Sequence, residues 1–180
     1  SSDVTIDRLT VRSTAGLNIT ADASLTSLID VTQFGGTITV DGGLTSVGDY
    51  TLFGGALQGG GTITAPFVTA FMGAISPGRI GTIDTLTIDG SLIMTTASTL
   101  MIDIGPNGTS DLVAVTGEAA FGAPADPDAE EDEEPTGPIV AVGAGILGQV
   151  NGLGQVYTIV TAEGGVSGEF VPDDISPILR

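Results

Sequence analysis

The stretch that decides the fold is Thr37-Ile38-Thr39-Val40-Asp41-Gly42-Gly43-Leu44, which returns 48 residues later as Thr85-Leu86-Thr87-Ile88-Asp89-Gly90-Ser91-Leu92. In both copies apolar residues alternate with polar ones, and an Asp-Gly pair follows the alternating run. Alternation with a period of two predicts a strand with one buried face, and Asp-Gly is typical of a turn. The offset corresponds to two units of about 24 residues, within the range of solenoid repeats. A third copy opens the chain at Thr5 to Val11.

A unit of this size cannot bury its own apolar row, so successive units must stack at the strand spacing of about 4.8 Å. We therefore predict an all-β fold, a right-handed parallel β-helix of roughly seven or eight coils. Leu86, Ile88 and Ile102 are predicted to point inward, while Thr, Asp and Arg point outward. The alternative is a β-sandwich or jelly roll, which also has short alternating strands.

Three regions are predicted along the chain. Residues 1–123 form β-helix coils, residues 124–138 form an exposed acidic loop, and residues 139–180 form the final coil or coils with a C-terminal cap. The candidate cap is Gly154 to Phe170, because a solenoid end with unpaired strand edges needs protection. The alternative, that this segment is simply another coil, stays open at this point.

The composition excludes many kinds of chemistry. The 180 residues include 22 Asp and Glu and four Arg, but no Lys, His or Cys. Catalytic triads, His or Cys zinc sites, Schiff bases and Lys-containing phosphate loops each need a missing residue type. The net charge of -18 repels nucleic acid and anionic membranes, so neither is an expected partner. The uncharged run from Tyr50 to Gly78 is interrupted by Gly, and we interpret it as strands and turns with no membrane insertion.

Carboxylates are the remaining candidates for catalysis, since a pair of them performs acid–base chemistry on sugars in glycosidases. Asp residues at predicted outward positions, with Arg as electrostatic partners, are the candidates: Asp7, Asp84, Asp89 and Asp103, with Arg8 or Arg79. Asp before Gly at a turn needs no catalytic explanation, so we predict no catalytic residue and no enzyme. Aromatic residues make up only 4% of the chain, which leaves few platforms for stacking a sugar.

The acidic stretch from Ala125 to Gly137 holds like charges and two Pro residues, which predicts a solvated loop. We expect its removal to leave the melting temperature almost unchanged. The alternative is weak Ca²⁺ binding by Asp126, Asp128 and Glu130, which alternate and supply hard oxygen ligands. No other cofactor is expected.

An ordered series of short strings, over roughly residues 35–180, resembles the C-terminal part of the β-helical passenger of autotransporters, the type V secreted proteins of Gram-negative bacteria. The strings are Gly59 to Ile63, Gly73 to Gly78, Gly81 to Ile83, Leu86 to Leu92, Ser98 to Asp103, Ser110 to Gly117, Tyr157 to Ala162 and Gly165 to Phe170. The acidic stretch departs from the family, which usually has a short turn there. A membrane β-barrel would follow Arg180 in such a protein.

This resemblance implies an extracellular rod, tethered to the outer membrane, that acts as a stalk or adhesive module and whose last coils fold first during export. The implied ligands are a host surface, a cell surface or a saccharide, and the rods are open to end-to-end or lateral self-association. The alternative function is a β-helical carbohydrate-active domain, either a polysaccharide lyase or hydrolase or a saccharide-binding module.

Overall fold

The computed structural model describes residues 2–122, 137–146 and 156–172, and these form strands with a single 3-10 turn at Pro106–Gly108. The strands are β1 Ser2–Ile6, β2 Leu9–Val11, β3 Gly16–Ile19, β4 Ala23–Ser27, β5 Val31–Gln33, β6 Thr37–Val40, β7 Gly43–Ser46, β8 Tyr50–Leu52, β9 Ala56–Gly59, β10 Thr62–Ala70, β11 Gly73–Pro77, β12 Thr85–Met94, β13 Ser98–Ile104, β14 Leu112–Val115, β15 Ala119–Phe121, β16 Ile139–Ile146, β17 Val160–Ala162, β18 Val166–Gly168 and β19 Val171–Pro172. No helix in these ranges is long and apolar enough to cross a membrane.

The strands stack in parallel as three faces of a β-solenoid, which confirms the predicted fold class. The first face follows the order β1-β4-β7-β10-β12-β14-β17, and the third follows β3-β6-β9-β11-β13-β16-β19. The second face contains β2, β5, β8, the later halves of β10 and β12, then β15 and β18. Strands β10 and β12 continue round the corner between the first and second faces, where their register shifts between Thr64 and Phe67.

The interior is a continuous column of aliphatic side chains, as the alternation predicts. Leu86, Ile88 and Ile102 are buried, which confirms their inward assignment. The strand partners of Ile88 are Ile63 in the preceding coil and Val115 in the following one. Each inward residue is therefore covered above and below by an equivalent residue, and this stacking removes its apolar surface from water.

One buried polar network interrupts the aliphatic column. The Tyr50 hydroxyl donates to Gln33 Oε1 at 2.6 Å, and Gln33 Nε2 donates to the carbonyl oxygens of Gly36 and Ala56. Burial raises the pKa of the Tyr50 phenol far above its ordinary value. The network satisfies these polar groups without water, as a dry interior requires.

The structural repeat differs from the one that the sequence echo indicates. Thr5 pairs with Thr26, Thr26 with Thr45 and Thr45 with Thr64, so the first coils contain 21, 19 and 19 residues. Ile38 lies on β6 of the third face, whereas Leu86, its counterpart in the echo, lies on β12 of the first face. Both copies of the echo form a strand, a corner and a second strand. The interpretation that the two copies occupy equivalent positions two coils apart is wrong.

The described part of the candidate cap continues the ladders of the first and second faces, and β19, which directly follows it, continues the third. Strand β17 pairs with β14, β18 with β15 and β19 with β16, so these residues form another coil, the alternative left open by the sequence. The Phe170 ring packs on Phe121 of the preceding coil at a centroid distance of 4.1 Å. Gly137 and Pro138 are buried, and the Pro138 carbonyl accepts from Val171 N. These two residues therefore belong to the coil, although the sequence places them in the loop of residues 124–138.

Candidate functional site

The structure separates most of the candidate catalytic carboxylates. Asp7 and Asp89 are exposed, but they lie four strand steps apart along the first face, about 19 Å at the strand spacing. Asp84 and Asp89 lie five residues apart at the start and middle of one extended stretch, about 16 Å. Glycosidase carboxyl groups lie about 5 to 9.5 Å apart. Neither of these two pairs matches that chemistry.

The two candidate cations contact other carboxylates. Arg8 Nε lies 2.8 Å from Asp30 Oδ1, and Arg79 Nη2 lies 2.7 Å from Asp41 Oδ2. Both arginines are more than half exposed. They form surface ion pairs, which contribute little to stability and leave the candidate carboxylates without the predicted cationic partner.

Asp103 corrects a prediction, because it is buried and does not face solvent. Its Oδ2 accepts hydrogen bonds from the backbone N–H groups of Gly81 and Thr82. Ile104 forms an antiparallel bridge with Ser110, so the chain folds back over the end of β13 and covers Asp103. The carboxylate therefore fastens the connection between β11 and β12 to β13.

Sequence reasoning missed Asp111, the second buried carboxylate of this cluster. Asp111 Oδ1 accepts from the N–H of Asp84, and Oδ2 accepts from the N–H of Asp103, each at 2.8 Å. Burial raises the pKa of the Asp111 carboxyl, the two backbone hydrogen bonds oppose this rise, and the charges of Asp103 and Asp84 add to it. Both oxygens are engaged with backbone donors, so the arrangement holds neighbouring coils together and leaves no free base.

Asp111 gives the protein a specific pH dependence. Because its folded-state pKa is raised, the folded chain binds this proton more tightly than the unfolded chain, and the contribution of Asp111 to stability rises as the pH falls. The window extends from the raised pKa down to the ordinary Asp value of about 3.9. We expect the difference in free energy of unfolding, wild type minus Asp111→Asn, to increase across that window. Urea denaturation of both proteins at a series of pH values measures it, and a constant or shrinking difference would contradict the assignment.

A row of exposed phenylalanines lies along the corner between the second and third faces. Phe34, Phe53 and Phe71 follow β5, β8 and β10, and successive ring centroids are 5.3 Å apart with nearly parallel planes. The Arg12 guanidinium lies over the Phe34 ring, 5.0 Å from its centroid. The middle ring, Phe53, is therefore covered on both faces by its neighbours. Although aromatic residues are few, the structure aligns three of them in one exposed row, which the composition did not indicate.

A groove of about 490 Å³ lies at the corner between the first and second faces. Its lining is formed by Thr45, Ser46, Val47, Thr64, Ala65, Pro66, Asp89, Gly90, Ser91, Thr116 and Gly117. Thr116 Oγ1 donates to Asp89 Oδ1 at 3.0 Å and accepts from Gly90 N at 3.0 Å. These residues come from four successive coils, so the groove follows the stacking direction. We call it the corner groove.

Phe67 borders the corner groove. It directly follows the lining residue Pro66, and its strand partner is the lining residue Ser91. Val68 is buried, so Phe67 faces outward, and it is 46% exposed. In the described part of the chain its ring does not stack with another aromatic ring. Nearly half of Phe67 is thus exposed to solvent beside a polar groove.

The candidate calcium ligands Asp126, Asp128 and Glu130 lie outside the described residues. Within the described ranges, no group of three Asp or Glu side chains is arranged to hold a metal ion. Comparison of the chain with protein-family models, curated proteins and solved structures gives no match.

Proposed function

We propose that this chain is a rigid stalk and adhesive module of an extracellular, autotransporter-like passenger, and that its C-terminal coils act as a folding nucleus during export. The observation that carries the proposal is the three-faced parallel solenoid with one predominantly aliphatic interior. A stack in which each coil contacts its neighbours is stiff along its axis and presents long surfaces.

The polar features of the described coils support a structural role. Asp103 and Asp111 accept hydrogen bonds from backbone N–H groups, and inside the column Gln33 donates to the backbone carbonyl oxygens of Gly36 and Ala56. Each of these side chains strengthens the contact between coils. The alternative, a carbohydrate-cleaving domain, has less support, because the exposed candidates Asp7, Asp84 and Asp89 do not form a pair with room for a substrate.

Surface labelling tests the location. We expect an epitope inserted at the exposed turn between Ala21 and Asp22, within the full reading frame expressed in a Gram-negative host, to be accessible to antibody on intact cells. A periplasmic protein carrying the same epitope is the control and is labelled only after the outer membrane is opened. If the chain behaves like this control, the extracellular assignment fails.

The order in which the coils fold tests the proposal that the C-terminal coils are the folding nucleus. Solenoids fold by adding coils to a stable neighbour, so pulse-labelled hydrogen exchange during refolding is expected to show protection of β12 to β15 before β1 to β3. The amides of the first coil are the internal comparison in the same molecule. Protection that appears first in β1 to β3, or in all coils at once, would contradict a C-terminal nucleus.

A further inference from the structure

We infer that the corner groove, together with the ring of Phe67, is a binding site for a neutral saccharide. The inference deepens the adhesive part of the proposed function by naming the class of ligand and the residues that contact it. It is separate from the stalk role, since a rod that binds no sugar still spaces one region from another.

The groove supplies the polar groups that sugar hydroxyls need. Hydroxyl groups of Thr45, Thr64 and Ser91 lie on its walls, and each both donates and accepts hydrogen bonds. Asp89 is exposed, and the bond from Thr116 to Oδ1 orients its carboxylate in the groove. A charged acceptor fixed in this way forms stronger hydrogen bonds to hydroxyl donors than a neutral acceptor does.

Phe67 supplies an apolar surface for the C–H groups of a sugar. A pyranose has C–H groups on its ring faces, and these pack against an aromatic ring while the equatorial hydroxyls reach sideways to polar partners. Phe67 faces outward at the edge of the groove, beside the pocket residues Pro66 and Ser91. The phenylalanine row Phe34, Phe53 and Phe71 lacks this combination, because its rings stack on one another and it lies at a different corner, between the second and third faces.

The negative charge of the groove and of the chain favours a neutral ligand over an anionic one. Asp89 is the sole ionisable residue in the lining, and no arginine belongs to it. Arg8 and Arg79 are held by Asp30 and Asp41. Sulfated or uronic acid glycans would therefore meet a carboxylate and the net charge of -18 without a cation to offset the repulsion.

The corner groove has room for one or two sugar units. It has a volume of about 490 Å³ and is widely open to solvent, so a bound sugar would stay partly exposed. It extends across successive coils, so a longer chain can continue along the Thr45 and Thr64 positions, which are strand partners. An open groove with one stacking ring predicts a dissociation constant of about 1 mM.

Titration of the whole chain by ¹⁵N–¹H NMR tests the inference. The probes are three neutral hexasaccharides of different linkage, namely cellohexaose, maltohexaose and chitohexaose, with oligogalacturonate as the anionic comparison. At least one neutral probe is expected to give saturable shifts at Thr64, Ser91 and Thr116 below about 10 mM. Phe67→Ala and Asp89→Ala are each expected to weaken that binding about tenfold. Phe53→Ala removes a ring outside the groove that is 36% exposed, against 46% for Phe67; it is the control and leaves the affinity unchanged.

Any one of three results overturns the inference. The first is the absence of saturable shifts at the groove with all three neutral probes, and the second is tighter binding of oligogalacturonate. The third is a Phe53→Ala variant that loses binding while Phe67→Ala keeps it. Circular dichroism melts of each variant establish that the fold is retained, and the epitope experiment above tests the extracellular rod independently of any sugar.

Discussion

Replacement of Leu86 by Asp is expected to lower the free energy of unfolding by about 4 kcal/mol, the largest effect of any single substitution considered for the interior. Leu86 is fully buried on β12, and its strand partner Val113 is fully buried as well. The new carboxylate would therefore lie in a dry column without a cation or a hydrogen-bond donor. Urea denaturation followed by circular dichroism measures the change.

Thr87→Asp is the matched control for this substitution. Thr87 is the next residue on the same strand, faces outward and is half-buried, with Thr62 and Ala114 as its strand partners. The same carboxylate reaches water here, so the expected cost is below about 1 kcal/mol. Equal destabilisation by the two variants would show that the inward and outward faces of β12 are assigned wrongly.

The inward and outward faces of the strands were predictable from the sequence because they depend only on neighbouring residues. Leu86 and Ile88 alternate with Thr87, and a strand places alternate side chains on opposite faces whatever it pairs with. Asp103 shows where this rule fails. It alternates with Ile102 and Ile104 as an outward residue would, yet the chain that returns through Ser110 covers it. A local pattern contains no information about a segment that packs on its outer face.

The pairing of coils was harder to predict, because different corners have similar chemistry. An alternating strand, a turn rich in Asp and Gly, and another strand occur at the corner after β6 and again within β12. The 48-residue echo aligned these two corners although they join different faces. The repeat that matches the pairing of the coils is a four-residue string with Thr at its second position and Phe at its fourth. Its Thr residues pair directly, and its copies are Val31-Thr32-Gln33-Phe34, Tyr50-Thr51-Leu52-Phe53 and Val68-Thr69-Ala70-Phe71. Its signal was the Phe at a fixed position after each short strand.

The corner groove was beyond prediction for a related reason. Its residues Thr45, Thr64, Asp89 and Thr116 come from coils of unequal length, since Thr45 precedes Thr64 by 19 residues whereas Ile88 precedes its partner Val115 by 27. No constant period aligns them. Asp89 was singled out from the sequence as an outward carboxylate, and the structure adds the hydroxyl groups and the ring beside it.

Glycine substitutions at the corner before the third face are the second set with large expected effects. Gly36, Gly55 and Gly73 form a column there, with φ values of 74°, 88° and 95°. A Cβ on Gly55 would lie 2.2 Å from the Gly36 carbonyl oxygen. That oxygen accepts the hydrogen bond of Ala56 N, so the backbone cannot move away without breaking the ladder.

We expect Gly55→Ala to lower the free energy of unfolding by about 3 kcal/mol, from left-handed strain together with overpacking. Two matched substitutions separate these contributions. Gly81 has a φ of 89° but open space around a Cβ, so Gly81→Ala reports the strain alone, about 1 kcal/mol. Gly16 has open space and no left-handed φ, so Gly16→Ala is expected to stabilise the chain by about 0.5 kcal/mol, because alanine restricts the unfolded chain more than glycine does.

The order of the three unfolding energies tests how the coils are stacked. If close packing of each corner on the corner below stabilises the rod, Gly55→Ala must lower the free energy of unfolding much more than Gly81→Ala does. Both variants place alanine at a left-handed φ, but only the new Cβ at residue 55 would clash with the neighbouring coil. Equal losses in free energy of unfolding for Gly55→Ala and Gly81→Ala would mean that neighbouring corners are not closely packed. The interior alone would then set the spacing of the coils. The same urea titrations that compare Leu86→Asp with Thr87→Asp provide this measurement. The losses in free energy of unfolding from interior and corner substitutions can therefore be compared directly.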